Sequence, residues 1–335
     1  MKKINMIAET AWHHEGDYSF MLSLTDSILQ KSYADTVKMH ITLDLDEYMD
    51  QSHDLYHELK PKLFSKNKWE NLIDKVKCSN KGLMLLYNDT EAIEFGAKFN
   101  PDLVEIHSAC LNDFYLLDAL KNNINHNTKV VFGVGGSTLE EIDSAINKIE
   151  HENIILMFGF QNYPTNYGDI NFLKMQKIKS KYPHFNFGYA DHTAWNEKNN
   201  VLITLLGASQ GVNYVEKHVS TLYGQERIDW QSAVSIKIFN EIANKVKILS
   251  QCIGDGNMGL NKGEKAYSIY GPMKKAAILI EDVKKNQAHS LDKVIFKRTN
   301  KKTDLSQIDI INKAGIKYSK NIQAGSVLFN KDFKK

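Results

Sequence analysis

Eight short apolar runs alternate with helix-length amphipathic segments from the N-terminus to about residue 252, and this alternation constrains the fold more than any other feature of the chain. The runs cover residues 4–8, 36–41, 82–87, 103–107, 129–134, 153–158, 186–189 and 212–216. Helix-like segments at 19–30, 90–97, 137–150, 171–181, 197–209 and 234–250 separate or follow them. Several runs are apolar at every position, as in Val130-Val-Phe132 and Ile154-Ile-Leu-Met157, which is how a strand buried on both faces reads. Eight βα units predict a closed (β/α)8 TIM barrel rather than an open sheet, with reactive groups at the C-terminal strand ends. The barrel is expected over residues 1–255, with the polar stretch 43–80 as a long insertion after the second strand. Composition shifts after Gly254-Asp-Gly-Asn257. Residues 256–274 read as a linker, and 275–335 as a small β-rich domain with strand-like pieces at 276–280, 294–297 and 307–312.

A length of 335 residues suits a barrel plus a smaller module. With 42% hydrophobic and 24% charged residues the chain can bury an ordinary core. A net charge of +2 leaves no basic surplus for nucleic acid or an anionic membrane. Cys78, Cys110 and Cys252 are too few and too scattered for a disulfide framework or a zinc knuckle, which points to a reducing cytoplasm. Glu9 interrupts the first apolar run before a signal-peptide core could form, and no apolar run reaches the roughly 20 residues that cross a bilayer.

The chemistry concentrates at strand ends. His192 and His218 close the seventh and eighth runs, one helix-length segment apart, so a barrel brings both imidazoles to the same mouth, close enough to share a metal ion. Two histidines with open positions fit a catalytic divalent ion better than a closed structural one. Glu9 ends an apolar strand, where a carboxylate is either used in catalysis or paired with Lys38 on the neighbouring strand. Glu216 lies two residues before His218 and shares its face, as Lys38 and His40 share theirs. Lys38 is a point contact for a carboxylate or phosphate, or else a structural ion pair. Gly133-Val-Gly-Gly-Ser137 could cradle a phosphate, but Ser137-Thr-Leu-Glu140 reads as an ordinary capping box and that reading is preferred. Cys110 has no catalytic partner and is read as inert, and Trp195 and Trp230 as walls flanking the site.

These residues resemble a known family. The segments Asn162-Tyr-Pro-Thr-Asn-Tyr-Gly-Asp169, Gly188-Tyr-Ala-Asp-His-Thr193 and Val215-Glu-Lys-His218 are similar in order and spacing to the sialic acid (N-acetylneuraminate) synthase family. So are Ile7-Ala-Glu-Thr-Ala-Trp-His-His-Glu-Gly16 and Ala34-Asp-Thr-Val-Lys38. The terminal domain, through Phe296-Lys-Arg298 and Ile322-Gln-Ala-Gly325, resembles the antifreeze-like (SAF) domain of those enzymes. The resemblance implies metal-dependent condensation of phosphoenolpyruvate with an N-acyl amino sugar to a nine-carbon 2-keto acid. It makes His192 and His218 the metal ligands, for Mn²⁺ first, with Mg²⁺, Co²⁺ or Zn²⁺ as alternatives. It makes Glu9 and Glu216 the acid and base, sets Lys38 against the donor carboxylate, and gives Tyr163 and Asp229 to the acceptor sugar. Gln161, Ser108 and Glu105 fall at its substrate-binding positions. Arg298 would reach the partner subunit's site, which implies a homodimer with exchanged C-terminal domains.

The donor half departs from the family pattern. Where the family has Ser-Thr-Pro-Phe the chain reads Leu85-Leu-Tyr-Asn88, and where it has Lys-Ile-Gly-Ser the chain reads Glu105-Ile-His-Ser108. Its Ser-Thr-Gly becomes Gly133-Val-Gly135, an asparagine becomes Gln161, and a serine becomes Ala190. A lysine replaced by a glutamate changes local charge by two units, which repels a phosphate dianion. The alternatives are therefore a metal-dependent aldolase, lyase or synthase with an unphosphorylated donor, or a silent sugar-binding homologue.

Overall fold

The computed structural model describes residues 3–159 and 162–334. It forms two compact units, Met1–Asp255 and Gly256–Lys335. In the first, eight parallel strands among the described residues close into a barrel in sequence order: β1 (Asn5–Glu9), β2 (Thr36–Ile41), β3 (Gly82–Tyr87), β4 (Leu103–Ile106), β5 (Lys129–Gly133), β6 (Ile154–Phe158), β7 (Asn186–Ala190) and β8 (Tyr214–His218). β8 returns to pair with β1, so no strand edge is left open. Helices such as Tyr18–Lys31, Thr90–Ala97, Leu139–Ile149 and Ile236–Ile253 lie between or after the strands. Aspartates start two of them, Asp17 accepting from Phe20 N and Asp89 from Ala92 N.

Side-chain alternation divides the strand residues between two cores. Outward positions such as Ala8, Val37, Leu85, Val104 and Phe132 pack into the large cluster shared with the helices. Inward positions Ile7, Met84, Leu103, Val131, Ile155 and Tyr214 fill the barrel interior. One step further along the same inward rows come Glu9, Leu86, Glu105, Gly133, Met157 and Glu216, all at the C-terminal mouth.

Several sequence expectations need correction. The insertion holds helices of its own, including Leu45–Tyr48, Tyr56–Leu59 and Lys66–Lys77. The capping box before helix Leu139–Ile149 is Thr138 with Glu141, one residue later than read, because Ser137 still belongs to the turn. In the second unit, residues read as a linker include helix Lys262–Tyr267, started by an Asn261–Glu264 capping box. Residues 307–312 are a helix, Gln307–Asn312, not a strand. Ser306 and Asp309 cap each other's backbone, and this local signal overrides the β-branched run. β9 (Ala276–Leu279) and β10 (Val294–Lys297) pair antiparallel over a core that includes Leu305, Ile310, Tyr318 and Phe333. No helix among the described residues is long and apolar enough to cross a membrane.

Candidate active site

The inward row at the barrel mouth opens into a cavity of about 370 Å³. Its wall includes Glu9 (β1), Lys38 and His40 (β2), Glu105 (β4), Glu216 and His218 (β8), with His107, Ser108 and His192 just beyond strand ends and Tyr163 and Asp229 in the loops after β6 and β8. Period-two alternation in a parallel barrel brings these residues together although up to about 200 positions separate them in sequence.

At its floor Lys38 Nζ lies 2.6 Å from Glu105 Oε2, 2.9 Å from Glu216 Oε1 and 3.1 Å from Glu9 Oε2. No side chain in this group is more than 5% exposed. Burial alone would neutralise the ammonium, but Glu105, Glu216 and Glu9 hold its pKa well above the usual lysine range. Burial would likewise raise Glu9, yet Lys38 and His218 keep its carboxyl well below the carboxylate range. Glu216 goes the other way. Burial raises it well above that range despite Lys38, and the charges of Glu9 and Glu105 add to the effect. Glu105 is also raised, by burial first, against the pull of Lys38. Three carboxyls around one ammonium cannot all ionise cheaply, so Glu216 favours its protonated form while Glu9 favours the ionised one.

The two histidines meet above this group. Their ring centroids are 4.9 Å apart at a steep interplanar angle of 83°. His218 Nδ1 lies 3.4 Å from the Tyr163 hydroxyl, which donates its own proton to the Asp229 carbonyl. His218 Nε2 faces Glu9 Oε2 at 3.3 Å. His192 Nδ1 faces the Gly159 carbonyl at 3.4 Å, and a carbonyl can only accept, so its lone pair is on Nε2. Burial, with His218 adding, pushes His192 down to about 3, which keeps it neutral at pH 7. Two imidazoles beside an ionised carboxylate are a donor set that suits a divalent cation. Among the described residues no group of three or more His, Cys, Asp or Glu side chains is arranged to hold an ion.

Local backbone positions these groups. Gly159, directly after β6, has φ +121°, and a Cβ there would collide with the Ala190 carbonyl, so only glycine lets the β6 and β7 ends approach. Asp229 has φ +63°, and its Oδ2 accepts from Trp12 N at 3.1 Å. This ties the loop after β8 to the loop after β1.

The site residues singled out in the sequence lie as follows. Glu9, Lys38, Glu105, Ser108, Tyr163, His192, Glu216, His218 and Asp229 all line the one cavity. Arg298 belongs to the second unit and is exposed there, its guanidinium donating to the Pro272 carbonyl at 2.6 and 2.9 Å. Gln161 lies outside the described residues. Trp195 and Trp230 lie with ring centroids 5.8 Å apart, tilted by 44°, but are not in the cavity wall. Cys110 is buried, which pushes its thiol up to about 11.

The sequence reading missed three contributions. His13 is fully buried with its ring 5.7 Å from His218 and Nδ1 on the Ile228 carbonyl at 2.8 Å. His107 stands 6.5 Å from His40 across the cavity's β2–β4 side, and both are neutral, pushed by burial to about 4 and about 3. The insertion supplies Tyr48, Met49, Leu55, Glu58 and Leu59 as a lip. Part of its signal was present: Tyr56 and Leu59 stand three apart on one helix, and with Leu45 they pack on Trp12.

Comparison with known proteins agrees with this architecture. The chain is 24% identical over 318 residues to the N,N'-diacetyllegionaminic acid synthase of Campylobacter jejuni, covering 89% of this chain and 91% of that one. Its fold matches the N-acetylneuraminic acid (sialic acid) synthetase of Leptospira borgpetersenii at a TM-score of 0.71 and 22% identity, over 79% and 90% of the two chains. A Chromobacterium violaceum protein assigned to spore coat polysaccharide biosynthesis matches at a TM-score of 0.82 and 17% identity, over 99% of this chain and 100% of that one. The sequence pattern of the NeuB family matches residues 27–258, more than half of the chain, and the protein belongs to the NeuB family.

Proposed function

We propose that this cavity joins a three-carbon donor to the aldehyde carbon of an open-chain N-acyl amino sugar, giving a sialic-type 2-keto acid. The observation that carries the reading is the His192–His218 pair beside Glu9 and Glu216 at the mouth of a NeuB-family barrel. His192 and His218 would hold a divalent cation, Mn²⁺ by resemblance, which polarises an aldehyde oxygen when bound. Glu216, with its raised carboxyl, is suited to protonate that oxygen as the carbon–carbon bond forms. Glu9, ionised, is suited to accept the proton that the donor side of the reaction releases. Lys38 holds both carboxyls in place. Tyr163 and Asp229 are placed to orient the acceptor along the cavity wall. By resemblance the terminal unit is an antifreeze-like domain and the enzyme works as a cytoplasmic homodimer. Buried carboxyls beside two imidazoles argue against a silent homologue, because an unused group of that kind only costs desolvation.

The test is an assay of the metal-loaded protein over a panel of N-acyl hexosamines with three-carbon donors, reading formation of the 2-keto acid. Metal-dependent product abolished in Glu216→Gln supports the proposal. Absence of product with every acceptor and donor sinks it.

A further inference from the structure

We infer that the donor carries no phosphoryl group: a 2-oxo acid of the pyruvate type enters beside Lys38, and Glu105 excludes its enol phosphate. This rests on the carbon–carbon bond-forming reading of the same cavity.

The argument is one of charge and hydrogen-bond donors. Lys38 is the sole lysine or arginine in the cavity wall among the described residues, and three glutamates already surround it. Four carboxyls, Glu9, Glu105, Glu216 and Asp229, line the inner wall. The neighbouring strand ends present Leu86, Gly133, Met157 and Ala190, none of which carries a donor side chain. The β4 and β5 ends are also close-packed, since a Cβ on Gly133 would stand 2.8 Å from Ser108 N. Among the described residues those four strand ends offer a phosphate dianion no side-chain donor in place of its water, and the surrounding carboxyls disfavour further negative charge.

A 2-oxo acid asks for much less. It brings one negative charge, in a carboxylate of the same shape as the glutamate heads on Lys38. It can therefore take the place of one of them on the ammonium without changing the pairing. Ser108 and the neutral imidazoles of His40 and His107 face the same space and suit an uncharged carbonyl or hydroxyl.

The step balances without water or a leaving group. One C–H bond of the donor's methyl group breaks and its proton passes to a carboxylate of the cavity. The carbanion carbon forms the new bond to the aldehyde carbon, and the aldehyde oxygen takes up a proton. Neither an oxidant nor a phosphate acceptor is needed.

Calorimetry of the full-length Mn²⁺-loaded protein with pyruvate and with phosphoenolpyruvate tests this, alongside phosphate release and 2-keto acid formation over the acceptor panel. Pyruvate should bind at least about tenfold more tightly and give product, with no phosphate released from phosphoenolpyruvate. Glu105→Lys and the milder Glu105→Gln should each tighten phosphoenolpyruvate binding about tenfold, the second serving if the first does not fold. Tight phosphoenolpyruvate binding, with phosphate released in step with product by the unmutated protein, overturns the inference and leaves the proposed function standing. Product from neither donor overturns both.

Discussion

Asp191 and Lys217, the residues immediately before His192 and His218, form an ion pair at 3.1 Å with both side chains at 0% exposure. They point away from the cavity, on the opposite face of β7 and β8 from the imidazoles. Asp191 is further held by Thr193 N and Oγ1, at 3.0 and 2.6 Å, and by the Thr204 hydroxyl. Burial lowers the Lys217 pKa even so, while Lys217 and the threonines hold Asp191 below its usual range against its burial. The pair clamps the two strand ends that carry the histidines. Removing one partner leaves a buried charge uncompensated, so Lys217→Met should cost about 3–5 kcal/mol of stability. Chemical denaturation reads this, and a loss under about 1 kcal/mol would show the pair to be dispensable.

The purified protein should carry about one divalent ion per chain, and His192→Ala and His218→Ala should each lose it, since neither imidazole alone holds an open site. Elemental analysis after dialysis decides the matter. Equal metal content in the wild type and both variants would remove these residues from the metal site.

Acid should destabilise the barrel earlier than carboxylate titration alone would. Burial first, then Arg227, Lys62 and Lys68, pushes His14 from the usual 6.5 down to about 3. The unfolded chain therefore binds a proton that the folded chain refuses. The stability His14 lends is fully present above pH 6.5 and is lost as pH falls toward 3. Each such histidine contributes a slope of up to about 1.4 kcal/mol per pH unit in that window. His14→Gln should flatten the stability–pH curve between pH 6.5 and 4 relative to the wild type, as read by denaturant midpoints. An unchanged slope would mean that His14 is protonated in the folded state.

If domains are exchanged in a homodimer, Arg298 and Glu9 serve one site from different chains. Arg298→Ala and Glu9→Ala proteins, each inactive alone, should then recover part of the wild-type activity when co-refolded into heterodimers. Confirmed heterodimers with no recovery would count against the exchange.

The barrel was legible in the chain because its strands are apolar on both faces and its helices carry their own caps. The strand expectations at 36–41 and 82–87 coincide with β2 and β3, and the remaining six overlap their strands with ends shifted by up to two residues. The inward row of Glu9, Lys38, Glu105, His192, Glu216 and His218 was also legible, because a two-residue period assigns each side chain to a face without knowledge of its neighbours. Residues 307–312 misled because a β-branched run and a capped helix turn look alike until the Ser306–Asp309 pair is weighed.

What the sequence alone determined, then, was which side chains share the barrel mouth. Only the tertiary structure decided what they do to one another. Lys38 could be read as a contact for a donor or as an ion-pair partner, and closure of β8 on β1 surrounds it with three glutamates drawn from β1, β4 and β8. That packing holds Glu9 ionised and keeps a proton on Glu216, although both are glutamates at strand ends. It also fixes the nitrogen on which His192 keeps its lone pair, through the carbonyl of Gly159 directly after β6. Charge state and tautomer depend on distances of a few ångströms between residues far apart in the chain, and a linear pattern carries no such distances.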